Sequence, residues 1–290
     1  MKSGFVTVVG RPNVGKSTLV NHMVGTKVSI TSSRPNTTRH SVRGVLHLPG
    51  SQAVFVDTPG LHRPRTMLGE RLIETAGASL QDVDVVVPVV DATAAIGPGD
   101  RMVLARSIAA RSEGGIAVVV NKVDRASRAD VVTRLASVAA TVEELGGGER
   151  AEYFAVSART GEGVDELVEA IVRRLPDGPP YYPDGTVTDT PEAVRVAELV
   201  REQLLRRARE ELPHSIACRV TEWEWPRIRC EIVVERDSQK GIVIGRGGEV
   251  LKEVGTAVRR QLPPGVYLEL YVRVEKRWQQ RPDALDRLGY

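Results

Sequence analysis

Gly10, Gly15, Lys16 and Ser17 stand in the stretch GRPNVGKST, whose spacing is GxxxxGK[ST]. Residues of these types at this spacing suit one task, holding the phosphates of a nucleoside triphosphate. Two glycines let the backbone curl until consecutive N–H groups point at phosphate oxygens, and a helix opening at Lys16 adds the partial positive charge of its N-terminus. Lys16 then neutralises the β- and γ-phosphates, and Ser17 offers its hydroxyl to Mg2+. The whole cradle comprises Gly10, Arg11, Pro12, Asn13, Val14, Gly15, Lys16, Ser17 and Thr18.

Three further motifs follow in the order that a guanine-nucleotide switch requires. DTPG (Asp57, Thr58, Pro59, Gly60) closes an apolar run, so Asp57 can hold Mg2+ through water and the Gly60 N–H can meet a γ-phosphate. NKVD (Asn121 to Asp124) closes another run, and Asp124 can accept from both the ring N–H and the exocyclic amine of guanine. Adenine offers no such pair of donors. SAR (Ser157 to Arg159) can bring the Ala158 N–H to the guanine oxygen. A lone aspartate after a strand is ordinarily a turn residue, but four motifs at successive strand ends leave that reading little room. Thr38, in TTRH, becomes a second Mg2+ ligand only in this company. The groups placed for hydrolysis are Lys16, Thr38, Asp57 and Gly60. Leu61 follows Gly60 and cannot orient water through its side chain, which leaves His62 as the nearest titratable group. Arg34, Arg39, Arg63 and Arg65 fall in the two loops that would sense the nucleotide and read as solvated charges.

Elements able to position these motifs are visible in the apolar pattern. FVTVVG, AVFVD, DVVVPVVD, GIAVVVN and EYFAVSA are apolar at successive positions and are separated by helical or loop segments, which predicts strands covered on both faces in a parallel sheet. Residues 1–175 therefore read as a doubly wound α/β domain, with helices over 16–25, 68–80, 99–111, 128–145 and 163–175. Between Thr31 and Leu48 the pattern predicts a mobile loop leading to an edge strand. Residues 176–192, PDGPPYYPDGTVTDTPE, are rich in proline and Asp-Gly turns and read as a linker. From 193 to 290 the order becomes α-β-β-α-α-β, a smaller α+β domain.

That second domain holds another glycine loop, IVIGRGGEV, which lacks the Lys-Ser/Thr of a triphosphate cradle. GxxG between two helical stretches, with two strands before and one after, is the arrangement of a KH module, whose loop clamps about four single-stranded nucleotides. A sugar-phosphate chain lying against the backbone needs positions without side chains. Lys240, Ile244, Gly245, Arg246, Gly247, Gly248 and Lys252 are the candidate RNA contacts, with Arg259 and Arg260 adding positive field. Ile242, Val243 and Ile244 would line the groove or form its supporting core, with core packing the expected role of each. Trp223 and Trp225 could stack on bases or pack against protein.

Composition narrows the classes. A chain of 290 residues with 41% apolar residues can build two cores. Net charge is only +3 with neither half in marked excess, so a nucleic-acid site must be local. The two cysteines, Cys218 and Cys230, show no disulfide or zinc spacing. No signal peptide or membrane span is evident, and a soluble, cytoplasmic monomer is expected.

The stretches GRPNVGKSTLVNHMVG, ITSSRPNTTRH, VDTPGLHRP and NKVD, with ERDSQKGIVIGRGG and the closing DRLGY, resemble the Era-type small GTPases that end in a KH domain. The resemblance covers almost the whole chain. It implies GTP/GDP binding through Gly10 to Ser17, metal binding through Ser17 and Thr38, and guanine recognition by Asn121, Lys122 and Asp124. It also implies that backbone groups place the attacking water, that Asn13 helps bind K+, and that the target is 16S ribosomal RNA near its 3′ end during maturation of the 30S subunit. Association with the inner face of the cell membrane is a further implication, and an alternative role is a membrane-associated adaptor whose KH fold docks proteins. One departure is Gly247, where relatives often carry lysine, so Arg246 is the residue expected to reach phosphate.

Overall fold

The computed structural model describes all residues except 35, 62, 63, 65, 82, 111–114 and 208–214. The sequence expectations for His62, Arg63 and Arg65 therefore lie outside the described residues. The chain forms two compact units, with Thr190–Tyr290 in the second and the chain up to Asp189, apart from two short segments, in the first.

The first unit is a six-stranded sheet in the order β2-β3-β1-β4-β5-β6. Its strands are β1 (Lys2–Gly10), β2 (Val42–Leu48), β3 (Ser51–Asp57), β4 (Val85–Asp91), β5 (Ile116–Asn121) and β6 (Ala151–Val156). All neighbours run parallel except β2 and β3, a hairpin that leaves β2 at the edge. The helices are α1 (Lys16–Val24), α2 (Met67–Ala78), α3 (Pro98–Ala109), α4 (Arg128–Glu144) and α5 (Val164–Arg174).

Successive strand residues feed two cores, which is why the runs are apolar throughout rather than alternating. Val6, Val8, Val85, Val87, Val89 and Val119 pack with Leu19 of α1 and Leu167 of α5. Val9, Val86, Val90, Val118 and Val120 pack with Leu104 of α3 and Val138 of α4. Pro88 sits in a central strand, where a missing N–H should cost a ladder bond. The β4–β5 pairing accordingly jumps from Val86↔Ile116 to Val89↔Val119.

Residues 176–189, read from their prolines as part of the linker 176–192, have partners of their own. They belong to the first unit and are laced to the β2–β3 hairpin. Val45 N donates to Val187 O at 2.8 Å, Thr188 Oγ1 donates to Arg43 O at 2.6 Å, and the Gln52 amide bonds to the backbone of Tyr181 and Tyr182. Prolines bar the segment from helix but allow an extended strap, and the strap occupies the hydrogen-bonding edge that β2 would otherwise expose.

In the second unit a three-stranded sheet runs β7-β8-β9, with β7 (Ala217–Glu224) antiparallel to β8 (Arg227–Val234) and β9 (Tyr267–Val274) parallel to it. With α6 (Glu192–Arg207), α7 (Asp237–Ile244) and α8 (Glu249–Arg259) the order is α-β-β-α-α-β. A further helix, α9 (Pro282–Leu288), closes the chain. Trp278 is fully buried and donates its indole N–H to Ser215 O at 3.0 Å.

Candidate functional site: a nucleotide cradle and a glycine-loop clamp

β1, β3, β4 and β5 end at Gly10, Asp57, Asp91 and Asn121 along one edge of the sheet, and β6 ends at Val156 beside Asn121. In a parallel α/β sheet this carboxyl edge is where ligands bind. The four motifs of the sequence therefore share one ledge.

Gly15 opens α1 in the left-handed region, at φ 103° and ψ 19°. Lys16 is buried, and its ammonium donates to Gly10 O at 3.2 Å and Arg11 O at 3.1 Å, inside the curl. Burial pulls its pKa down to about 8, with the Asp57 carboxylate opposing the shift. A phosphate would restore the ammonium, so binding above pH 8 should take up a proton, and affinity should fall as pH rises through 8. Calorimetry at pH 8.5 in two buffers of different ionisation heat reads this directly. Unequal heats showing net uptake are expected, and equal heats would contradict the assignment.

Metal-binding expectations converge as well. Ser17 Oγ lies 2.8 Å from Thr38 Oγ1, which lies 3.3 Å from Asp57 Oδ2. Asp57 is fully buried, and its Oδ1 meets no hydrogen-bond donor among the described residues. Burial raises its pKa, while Lys16 and the nearby hydroxyls hold it down. A buried carboxylate oxygen without a donor, beside two hydroxyls, fits a hard divalent cation such as Mg2+. Among the described residues no group of three His, Cys, Asp or Glu offers an alternative metal position.

The backbone after Asp57 is drawn onto the cradle. Leu61 N donates to Gly10 O at 3.1 Å, and a Cβ on Gly60 would lie 2.8 Å from Pro12 N. Leu61 is buried in the core, so its side chain is committed to packing. Arg39, read from the sequence as a solvated charge, is instead buried at 3% exposure.

On the base side the structure refines two expectations. Asn121 is buried and acts as a bracket: Nδ2 donates to Val14 O at 2.8 Å and Oδ1 accepts from Ala158 N at 2.9 Å. Its second amide N–H remains for a base. The Ala158 N–H, expected at the guanine oxygen, is taken up by Asn121, because a buried amide oxygen needs a donor. Asp124 accepts from Ser157 Oγ at 2.7 Å through Oδ1, and its Oδ2 lies 2.7 Å from the exposed guanidinium of Arg159. Lys122 spans the site, donating to Asn13 O at 2.7 Å and pairing with Asp91 at 2.5 Å.

Two supports escaped the sequence reading. Asp91 ends β4 on the same ledge and was legible as a strand-end aspartate. Asp100, buried near the start of α3, holds Arg11 Nε at 2.7 Å and accepts from Gly97 N at 2.9 Å. Nothing in the spacing of Arg11 and Asp100 announces that pair.

The second glycine loop lies where α7 gives way to α8. Gly245, Gly247 and Gly248 all have positive φ, at 75°, 62° and 83°. A Cβ on Gly245 would lie 2.9 Å from Val250 N, whereas at Gly247 and Gly248 nothing stands within 4 Å. The loop therefore presents bare backbone to open space. Arg246 and Lys252 are exposed and Lys240 is half-buried. Of the apolar trio expected in the core, Val243 is buried and Ile244 half-buried, but Ile242 is 59% exposed. Trp223 and Trp225 are exposed at the tip of the β7–β8 hairpin.

A phosphate cradle at the switch point of an α/β sheet, with the candidate base and metal groups on one ledge, is the arrangement of a P-loop GTPase, and here it is followed by a KH fold. The sequence profile described as "50S ribosome-binding GTPase" matches residues 5–122, and that of the KH domain matches residues 211–279. GTPase Era of Mycobacterium avium is 47% identical, with 100% of this chain and 99% of that protein covered. GTPase Era of Mycobacterium tuberculosis is 48% identical over 99% of this chain and 98% of its own. Two solved structures superpose with a TM-score of 0.93 at 38% identity, covering 100% of this chain and 99% of theirs. One is a variant of Aquifex aeolicus Era bound to GDP.AlF4−, and the other is Era in complex with MgGDPNP and nucleotides 1506–1542 of 16S ribosomal RNA. The chain belongs to the Era family of GTPases.

Proposed function

We propose that this GTPase is a switch whose KH fold grips single-stranded RNA at the 3′ end of 16S ribosomal RNA during maturation of the 30S subunit. The observation that carries the reading is the pairing, in one chain, of a triphosphate cradle with a GxxG loop whose Gly247 and Gly248 face open space between two helices. The Era complex with MgGDPNP and a 16S ribosomal RNA segment supports it. Lys16 and the backbone from Gly10 to Thr18 hold the phosphates, Ser17, Thr38 and Asp57 hold Mg2+, and Asn121, Lys122 and Asp124 select guanine. Gly245 to Gly248, with Lys240, Ile244 and Lys252, form the RNA clamp.

Hydrolysis proceeds with water placed by backbone groups, because Leu61 is buried and offers no polar atom. Asn13 contributes to a K+ site that supplies positive charge between the phosphates. Hydrolysis should then be several-fold faster in potassium than in sodium at matched ionic strength, and equal rates would remove Asn13 from this role. The protein acts in the cytoplasm as a monomer, with peripheral association at the inner membrane face resting on the family resemblance. Among the described residues no helix is long and apolar enough to cross a membrane.

Fluorescence anisotropy tests the RNA assignment, using the full chain, a short single strand ending in the 16S 3′ terminus and the same sequence held in a duplex. Binding should favour the single strand and weaken steeply with salt. Equal affinity for both would sink it.

A further inference from the structure

The second unit gathers two short segments of the N-terminal half along with Thr190–Tyr290, and one of them is Ser32–Thr37. Within that unit a buried cation bonds to the backbone of Asn36 and Thr37 in this segment. Arg201 of α6 has no exposed surface. Its Nη1 donates to Asn36 O at 3.4 Å, and its Nη2 donates to Thr37 O. Glu198, one turn earlier, fixes the same guanidinium through Nε at 2.8 Å and Nη2 at 2.5 Å. Asn36 itself sits in the left-handed region at φ 58°. A backbone strained in this way persists only where its surroundings hold it.

The residue after Thr37 is Thr38, whose hydroxyl stands between Ser17 and Asp57 at the metal position. A fully buried guanidinium is expensive and is retained only when its donors are all used. A purely structural ion pair with Glu198 would not require donors aimed at the two carbonyls that precede Thr38. Arginine can do both because its planar fork carries five N–H groups in fixed directions, whereas lysine offers one point of charge.

We propose that Arg201 is a positioning residue for GTP hydrolysis, fixing the Asn36–Thr37 backbone so that the Thr38 hydroxyl is delivered to the metal. The chemistry of such loops makes the consequence selective. Their threonine is engaged when Mg2+ and a γ-phosphate are present and released when only the diphosphate remains. Arg201 should therefore matter to the GTP state and its Mg2+ requirement, and hardly at all to GDP. The proposal rests on the GTPase chemistry alone and stands whether or not the KH fold takes RNA.

The test uses the full-length chain with Arg201→Met, which keeps bulk and removes the donors, and Arg201→Lys, which keeps only the charge. For Arg201→Met the Mg2+ concentration giving half-maximal hydrolysis should rise about tenfold and kcat should fall about tenfold, with GDP affinity within about twofold of the parent. Arg201→Lys should fail to restore either value. An unchanged Mg2+ requirement, or an equal loss of GTP and GDP binding, would overturn the proposal. Should Arg201→Met not fold, Glu198→Gln loosens the same clasp while leaving the guanidinium hydrogen-bonded. The Mg2+ requirement of that variant should rise about two- to threefold, and no change there would overturn the proposal equally.

Discussion

Gly15→Ala is expected to abolish nucleotide binding and to lower the melting temperature, although it adds one methyl group. Gly15 lies at φ +103°, where an L side chain is strained, and the new Cβ would fall 2.2 Å from Asn121 Nδ2. Something must move, and the atom in the way belongs to the residue joining Val14 O to Ala158 N. Displacing Asn121 strands two buried backbone groups, at about 1–3 kcal/mol each, in addition to about 1–3 kcal/mol of backbone strain. The cradle and the base-reading loop lose their common tie together. Affinity for GTP and GDP should fall by roughly 100-fold or more, with the melting temperature down by about 10 °C. Binding of a fluorescent GDP and a thermal melt check both. Parent-like affinity would mean that the Asn121 bracket is dispensable.

Gly247→Asp is expected to have the opposite profile, a near-normal fold with a broken clamp. Gly247 sits at φ 62° and ψ 18°, a region aspartate tolerates better than most residues, and no atom stands within 4 Å of an added Cβ. Stability should fall by only about 1 kcal/mol. A carboxylate placed where the RNA backbone must lie should weaken single-strand binding by roughly 100-fold, about 2.7 kcal/mol. Gly247→Ala separates the causes, since it introduces the same strain without the charge and should cost much less. Basal GTP hydrolysis should be untouched. If RNA binding survived Gly247→Asp, the loop would not be the clamp, and the KH fold would be better read as a docking platform for protein, as in the membrane-associated adaptor.

How much of this was legible in the sequence follows from how local each feature is. The strands ending at Gly10, Asp57 and Asn121 could be read because apolar runs and motif residues are adjacent in the chain. The convergence of Ser17, Thr38 and Asp57 was legible only through the order of motifs, because residues 18–37 and 39–56 set no spacing that a reader can measure. Contacts joining distant residues left no trace: Arg11 with Asp100, Asn121 with Ala158, and Arg201 with the Asn36–Thr37 backbone. The prolines of residues 176–189 marked a break in regular structure correctly, but proline content cannot tell a free linker from a strap bonded to an edge strand. Ile242 shows the same limit at smaller scale. Its neighbour Val243 is buried and Ile242 is not, since a helix turns consecutive residues to different sides.

In the proposed function, the nucleotide and the RNA report to one another through a single chain. Thermodynamic linkage makes the claim sharp, because any factor by which a GTP analogue changes RNA affinity must equal the factor by which RNA changes analogue affinity. The decisive measurement is the dissociation constant of the full chain for a single-stranded 16S 3′ RNA, taken in saturating GDP and again in saturating non-hydrolysable GTP analogue at one salt concentration. Binding about tenfold tighter with the analogue is the predicted result, a coupling of about 1.4 kcal/mol. Identical dissociation constants in the two states would contradict it.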